Sequence, residues 1–161
     1  QVSREVQAEG WTFNKEYEWE MTPDSNNEIT IPDNMLQIDL HEREQSYKDY
    51  DVIRRNGKLY DRIKHTDKWT GGTVRCDVVW LFDWVDLPKP IQDYITARAA
   101  TFAVSRIVGD PALARLTEQK EMYCRALALE YECNQGQHTF FGHPKGGNHY
   151  PSYQPYKALQ R

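Results

Sequence analysis

Hydrophobic and polar positions along the chain fall into three regimes. From residue 11 to 87 the apolar residues tend to alternate with polar ones or sit in short runs bounded by turn residues, the signature of β structure. Met35 to Leu40 sets Leu36, Ile38 and Leu40 against Gln37 and Asp39, and predicts a half-buried strand. Trp11 to Asn14 and Glu28 to Ile31 are further strand candidates, separated by the acidic run EYEWEM and the turn cluster PDSNN at 23–27. IPDN, with its proline and Asn/Asp, predicts a turn before Met35. In DVIRRNGKLYDR, Asn56-Gly57 joins two short runs and predicts a two-residue type I′ hairpin. After the loop KHTDKWTGG, Thr73 to Phe82 is the best strand of the chain: Val74, Cys76, Val78 and Trp80 share one face, and a central position is expected.

Beyond Asp83 to Pro90 the period changes to three and four. Ile91, Ile95, Ala99 and Phe102 form one stripe of a helix over 91–108, while Ala97, Ala100 and Val104 form a second, so burial between two layers is expected, with alanines allowing a close helix neighbour. Gly109-Asp110-Pro111 supplies a C′ glycine, an N-cap and an N1 proline. The next helix, Pro111 to Glu132, aligns Leu113, Leu116, Tyr123, Leu127 and Tyr131, with Glu121 and Arg125 as an i,i+4 pair on the opposite side. The pattern nominates Trp80, Ile95, Phe102, Leu116 and Leu127 as keystones of the core. At the other end, Val2 and Val6 lie four apart before Gly10 without an N-cap, which reads as the end of a helix that starts upstream of residue 1. Residues 134–161 have four glycines, three prolines and no periodicity; such a segment orders on a partner, and Phe140, Phe141, Tyr150, Tyr153, Tyr156 and Arg161 are its candidate contacts.

The fold class expected is therefore α+β: a helical hairpin over 90–132 with an N-terminal helix remnant, beside an antiparallel β subdomain, together one domain over 1–133 with an aromatic tail at 134–161. Composition changes the picture in three ways. A net charge of -4 and the absence of any long Lys/Arg run exclude the basic footprint of a tight nucleic-acid binder. Mean hydropathy of -0.82, with no long apolar run, predicts no membrane span. Three cysteines without a CxxC predict reduced thiols and no disulfide.

Candidate chemistry is thin. His138, His143 and His149 lack carboxylate or thiol companions for a metal, His41-Glu42-Arg43-Glu44 lacks the second histidine of a helical zinc motif, and Lys145-Gly146-Gly147 lacks the phosphate-loop spacing. No GxSxG occurs. No catalytic residue, metal or cofactor is expected. Two rival readings rest on composition. Carboxylates beside aromatics, among them Glu16, Glu18, Glu20, Asp83 and Asp86, suit a glycan hydrolase, and Trp11, Trp69 and Trp84 suit a carbohydrate-binding module.

GWTFN (10–14), RNGKLYDR (55–62), VRCDVVWLFDWVDLP (74–88), PIQDYITARAATFAVSRIVGDP (90–111) and the acidic helix after them occur in an order that resembles tail tubular protein A, the adaptor or gatekeeper family of short-tailed bacteriophages. The resemblance covers residues 10–132; Thr101 stands where the family pattern leads one to expect a basic residue, and the family's chains begin with one or two further helices. It implies a homo-oligomeric ring of about twelve copies, closed by head-to-tail contacts, between the portal and the tail nozzle (tail tubular protein B). It also implies proximity to tail fibres, a location in the virion after synthesis in the host cytoplasm, and a channel that DNA crosses during ejection without tight binding.

Overall fold

The structure, a computed structural model, describes residues 1–41, 50–70 and 72–136. Its central strand is the one with the strongest alternation. Strands β1 (Lys15–Met21), β2 (Met35–Leu40), β3 (Val52–Arg55), β4 (Lys58–Asp61) and β5 (Val74–Trp80) form two antiparallel sheets, one ordered β1-β5-β2 and the other the β3-β4 hairpin. Val74, Cys76 and Val78 of β5 enter a core with Met35, Leu59 and Trp69. Trp80 is only partly buried; its ring meets Trp19 edge-on at 5.5 Å and its indole N–H donates to Glu16 at 2.8 Å. At the hairpin tip Asn56 (φ 52°) and Gly57 (φ 72°) are both left-handed, as a type I′ turn requires.

Two strand expectations are corrected. Trp11–Asn14 is a turn, closed by the Asn14 N–H donating to the Trp11 carbonyl (3.0 Å) and the Trp11 N–H donating to Asn14 Oδ1 (2.8 Å). The strand is instead the acidic run after it. β1 lies at a sheet edge and buries only Met21, so charge at every second position costs it little. Glu28 to Ile31 forms one bridge, Thr30 with Lys58, rather than a strand, although Ile29 and Ile31 both enter the core.

The helical part consists of α1 (Val2–Gln7), α2 (Lys89–Ala103) and α3 (Pro111–Gly136), with a widened π-type turn at Val104–Val108 between the last two. Pro90 occupies the first turn of α2, where a missing N–H has no cost. Gly109 adopts φ 68°, and Asp110 caps α3 by accepting from the Ala112 N–H at 2.8 Å. A second core, built from Val6, Trp11, Ile91, Tyr94 and Ile95 with Ala97, Cys124 and Ala128, joins the three helices. The fold is α+β.

Between the two cores lies a buried polar knot. Asn14 donates from Nδ2 to the carbonyls of Gln7 and Trp80, both at 2.8 Å, while Gln7 bonds Phe82 through its amide nitrogen (3.1 Å) and oxygen (2.8 Å). Both side chains are fully buried. The knot ties α1 to the chain leaving β5 and so sets where α2 begins. Cys76 and Cys124 are buried thiols and Cys133 is an exposed one.

Candidate assembly surface

The α2–α3 hairpin is held to the body by one half of its length. Arg125 and Arg98 both donate to the Tyr94 hydroxyl (2.6 and 3.1 Å), Arg125 also reaches Glu9, and the Glu132 carboxylate accepts from the Thr12 backbone N–H and hydroxyl. The hydrogen bond to Tyr94, with Glu121 and Glu9 nearby, holds the Arg98 guanidinium above its usual pKa. Past Ala97 the hairpin becomes an arm: among the described residues, none from Arg98 to Tyr123 is buried.

This arrangement corrects the expected core. Ile95 is buried, but Phe102, Leu116 and Leu127 are 37%, 63% and 40% exposed. The reason is helix spacing. Small residues allow closer backbone approach than leucines, and α3 turns Cys124 and Ala128 toward α2. That rotation, about 100° from the leucine stripe, leaves Leu113, Leu116, Tyr123 and Leu127 outside. Of the second stripe of α2, Ala97 is buried, Val104 half-buried and Ala100 exposed. Asp93, Thr96, Ala97 and Ala100 face Thr117, Lys120, Tyr123 and Leu127 across an open groove, and Lys89 and Pro90 face Glu130 and Tyr131 at its end.

Among the other exposed large apolar side chains, which include Tyr17, Trp19, Ile63, Met122 and Leu129, two groups stand at opposite ends of α2. At the far tip, Ile107 is 83% exposed, and Phe102 lies between the Arg98 and Arg106 guanidinium groups. At the opposite end of α2, the 3-10 turn Trp84–Asp86 and its neighbour expose Phe82, Trp84 and Val85. Fifteen residues of α2 separate the two patches by about 22 Å.

The carboxylates singled out from sequence fall at both ends of β5, Glu16 accepting from the Trp80 indole N–H three residues before Asp83. Glu20 pairs with Arg75 at the start of β5, whereas Asp83 and Asp86 follow its end, a strand length of about 17 Å away. Glu18 sits on a β1 bulge with φ 55° and approaches His41 Nε2 at 3.3 Å, while His41 Nδ1 lies 2.7 Å from Asp77. This buried histidine, just past the end of β2, lies between an acid of β1 and one of β5; no sequence pattern linked the three. Trp11 and Trp69 are core residues whose indole N–H groups donate to the Val6 and Leu59 carbonyls, and of these three candidates Trp84 alone is exposed. Among the described residues no His/Cys/Asp/Glu group is placed to hold a metal ion, and no helix is long and apolar enough to cross a membrane. Phe140, Phe141, Tyr150, Tyr153, Tyr156, Arg161 and the three tail histidines lie outside the described residues.

The sequence profile described as tail tubular protein matches residues 1–138. No curated protein matches the chain.

Proposed function

The chain belongs to the tail tubular protein family, a structural component of the bacteriophage virion, and from that premise we propose that it is the subunit of an adaptor ring between the portal and the tail nozzle. The observation that carries this reading is the pair of exposed apolar patches at opposite ends of α2. A ring made from one chain needs two different, mutually complementary lateral surfaces, because a head-to-tail contact closes only when its rotation closes. Ile107 and Phe102 supply one, and Phe82, Trp84 and Val85 the other. Clustered exposed apolar side chains on a folded chain mark protein contacts.

The reading is non-catalytic, supported by the engagement of Glu20 with Arg75 and of Glu16 with the Trp80 indole N–H. A mildly acidic conduit also gives DNA no counterion-release gain that would hold it in transit. The aromatic tail, with Phe140, Phe141, Tyr150, Tyr153, Tyr156 and Arg161, is assigned to contact with the portal or with a neighbouring subunit, a segment that orders when it binds. The test is to mix purified protein with portal rings and measure mass and shape by native mass spectrometry and negative-stain imaging. Stacked rings of a fixed copy number are expected. A protein that stays apart from portal rings overturns the proposal.

A further inference from the structure

The two lateral patches differ in charge as well as in shape. At the tip, the Arg106 guanidinium lies over the Phe102 ring, 5.3 Å from its centroid. Stacking of this kind occupies the face of a guanidinium and leaves its in-plane N–H donors free for a carboxylate. Among the described residues no carboxylate takes them: Arg106 is exposed and belongs to no ion pair. Arg98, on the other side of Phe102, is by contrast already close to Glu121 and Glu5. Asp110, the nearest acid in sequence, accepts from the first N–H groups of α3.

The opposite patch carries the matching sign. Asp83 and Asp86 bracket Trp84 and Val85, and all four are exposed. Neither carboxylate has an ion-pair or hydrogen-bond partner among the described residues. Asp83 even occupies the N-cap position of the 3-10 turn without making the capping bond. The nearest cation in sequence, Lys89, is engaged with Asp93 at 2.8 Å. Each patch thus combines exposed apolar side chains with unpaired charge, positive at one and negative at the other. Within one chain they cannot meet, because the length of α2, about 22 Å, holds them apart. A second copy of the chain is the occupant whose chemistry fits, since every copy brings to each patch its complement in both charge and apolar character.

We propose that the lateral contact between successive subunits is charge-paired: Arg106 of one copy meets Asp83 and Asp86 of the next, while Phe102 and Ile107 pack on Trp84 and Val85. The proposal rests on the adaptor-ring reading and adds to it the register of the contact. Opposite charges at the rim of an apolar contact fix its orientation and speed encounter. They also disfavour the like-with-like pairings, tip on tip and patch on patch, that would leave a head-to-tail ring open.

The experiment is native mass spectrometry of the full chain mixed with portal rings, on the wild type and on charge-reversed variants. Arg106→Glu alone, and Asp83→Lys together with Asp86→Lys, should each weaken association between subunits by roughly tenfold or more, since each sets like charges against one another at every contact. All three positions are exposed, so Tm should stay near the wild-type value. The chain that carries all three substitutions should regain rings, because the pairing is restored with its signs exchanged. Mixing the Arg106→Glu chain with the Asp83→Lys, Asp86→Lys chain should likewise give rings, in which the two alternate. Wild-type rings, with both reversals assembling as well as the wild type, would overturn the charge-paired contact and leave the adaptor reading standing. So would reversals that abolish rings without recovery in the combined chain or the mixture, which would assign these charges to the portal instead. A wild type that forms no ring on the portal overturns the adaptor reading itself, and this proposal with it.

Discussion

Asn14 shows how much one side chain holds in this fold. It serves three backbone groups at once, the Trp11 N–H and the carbonyls of Gln7 and Trp80, in a fully buried site. Asn14→Ala removes the partner of the Trp11 N–H and of the Trp80 carbonyl in a buried site, while the Gln7 carbonyl keeps the Gly10 N–H (3.2 Å), and the expected loss is about 2–4 kcal/mol, read as a lowered urea midpoint with an unchanged slope. A loss below about 1 kcal/mol would mean that the knot is dispensable. Glu28 makes a second prediction. Hydrogen bonds from Lys58 (2.6 Å) and Lys68 (2.7 Å) lower its pKa from the ordinary 4.5 to about 2. A carboxylate depressed in the folded state contributes stability that is present above its unfolded pKa and is lost as pH falls through the folded one. The wild type should therefore lose this contribution between pH 4.5 and about 2. Glu28→Gln should be less stable at neutral pH and show a shallower decline over that acid window in thermal melts. Neither role was visible in the sequence. Asn14 ends a segment that resembles a strand, and Glu28 meets lysines 30 and 40 residues away.

For the secondary-structure elements, local chemistry wrote its own boundaries. Gly109, Asp110 and Pro111 stop one helix and start the next in the structure as their conformational preferences require. Asp110→Ala removes the cap and should cost about 1 kcal/mol, a drop of a few degrees in Tm, whereas Asp110→Asn should restore most of it. Equal loss in both variants would place the effect elsewhere than in capping. Which face of α3 turns inward was not written locally. The leucine stripe has the larger apolar area, yet the Cys124/Ala128 stripe is the buried one, because the distance between α2 and α3 decides what fits and neither helix alone specifies that distance. β1 was hidden for a related reason: an edge strand with a solvated face needs no apolar alternation.

On the scale of the whole molecule, the chain completes two cores and then leaves apolar side chains at the hairpin tip and around Trp84. Ile107→Asp and Val85→Asp alter side chains more than four-fifths exposed, so unfolding free energy should move by no more than about 0.5 kcal/mol. Under the adaptor reading each should nevertheless prevent ring formation on the portal, and native mass spectrometry would show subunits left unassembled. Rings of wild-type size from both variants would remove these patches from the lateral contact.

The sequence by itself determined the elements whose signals are local: the Asn56-Gly57 hairpin, the β2 and β5 strands, both long helices and the turn between them, the α+β class and, through its ordered motifs, the family. These depend on backbone preference and on the period of side chains within a few residues. Only the tertiary structure decided which stripe of α3 is core, that Phe102, Leu116 and Leu127 face outward, that Trp11 and Trp69 are buried, and that Glu18, His41 and Asp77 meet. Those outcomes depend on the spacing between elements and on partners far away in the chain, and it is the surface they leave uncovered that is available for assembly.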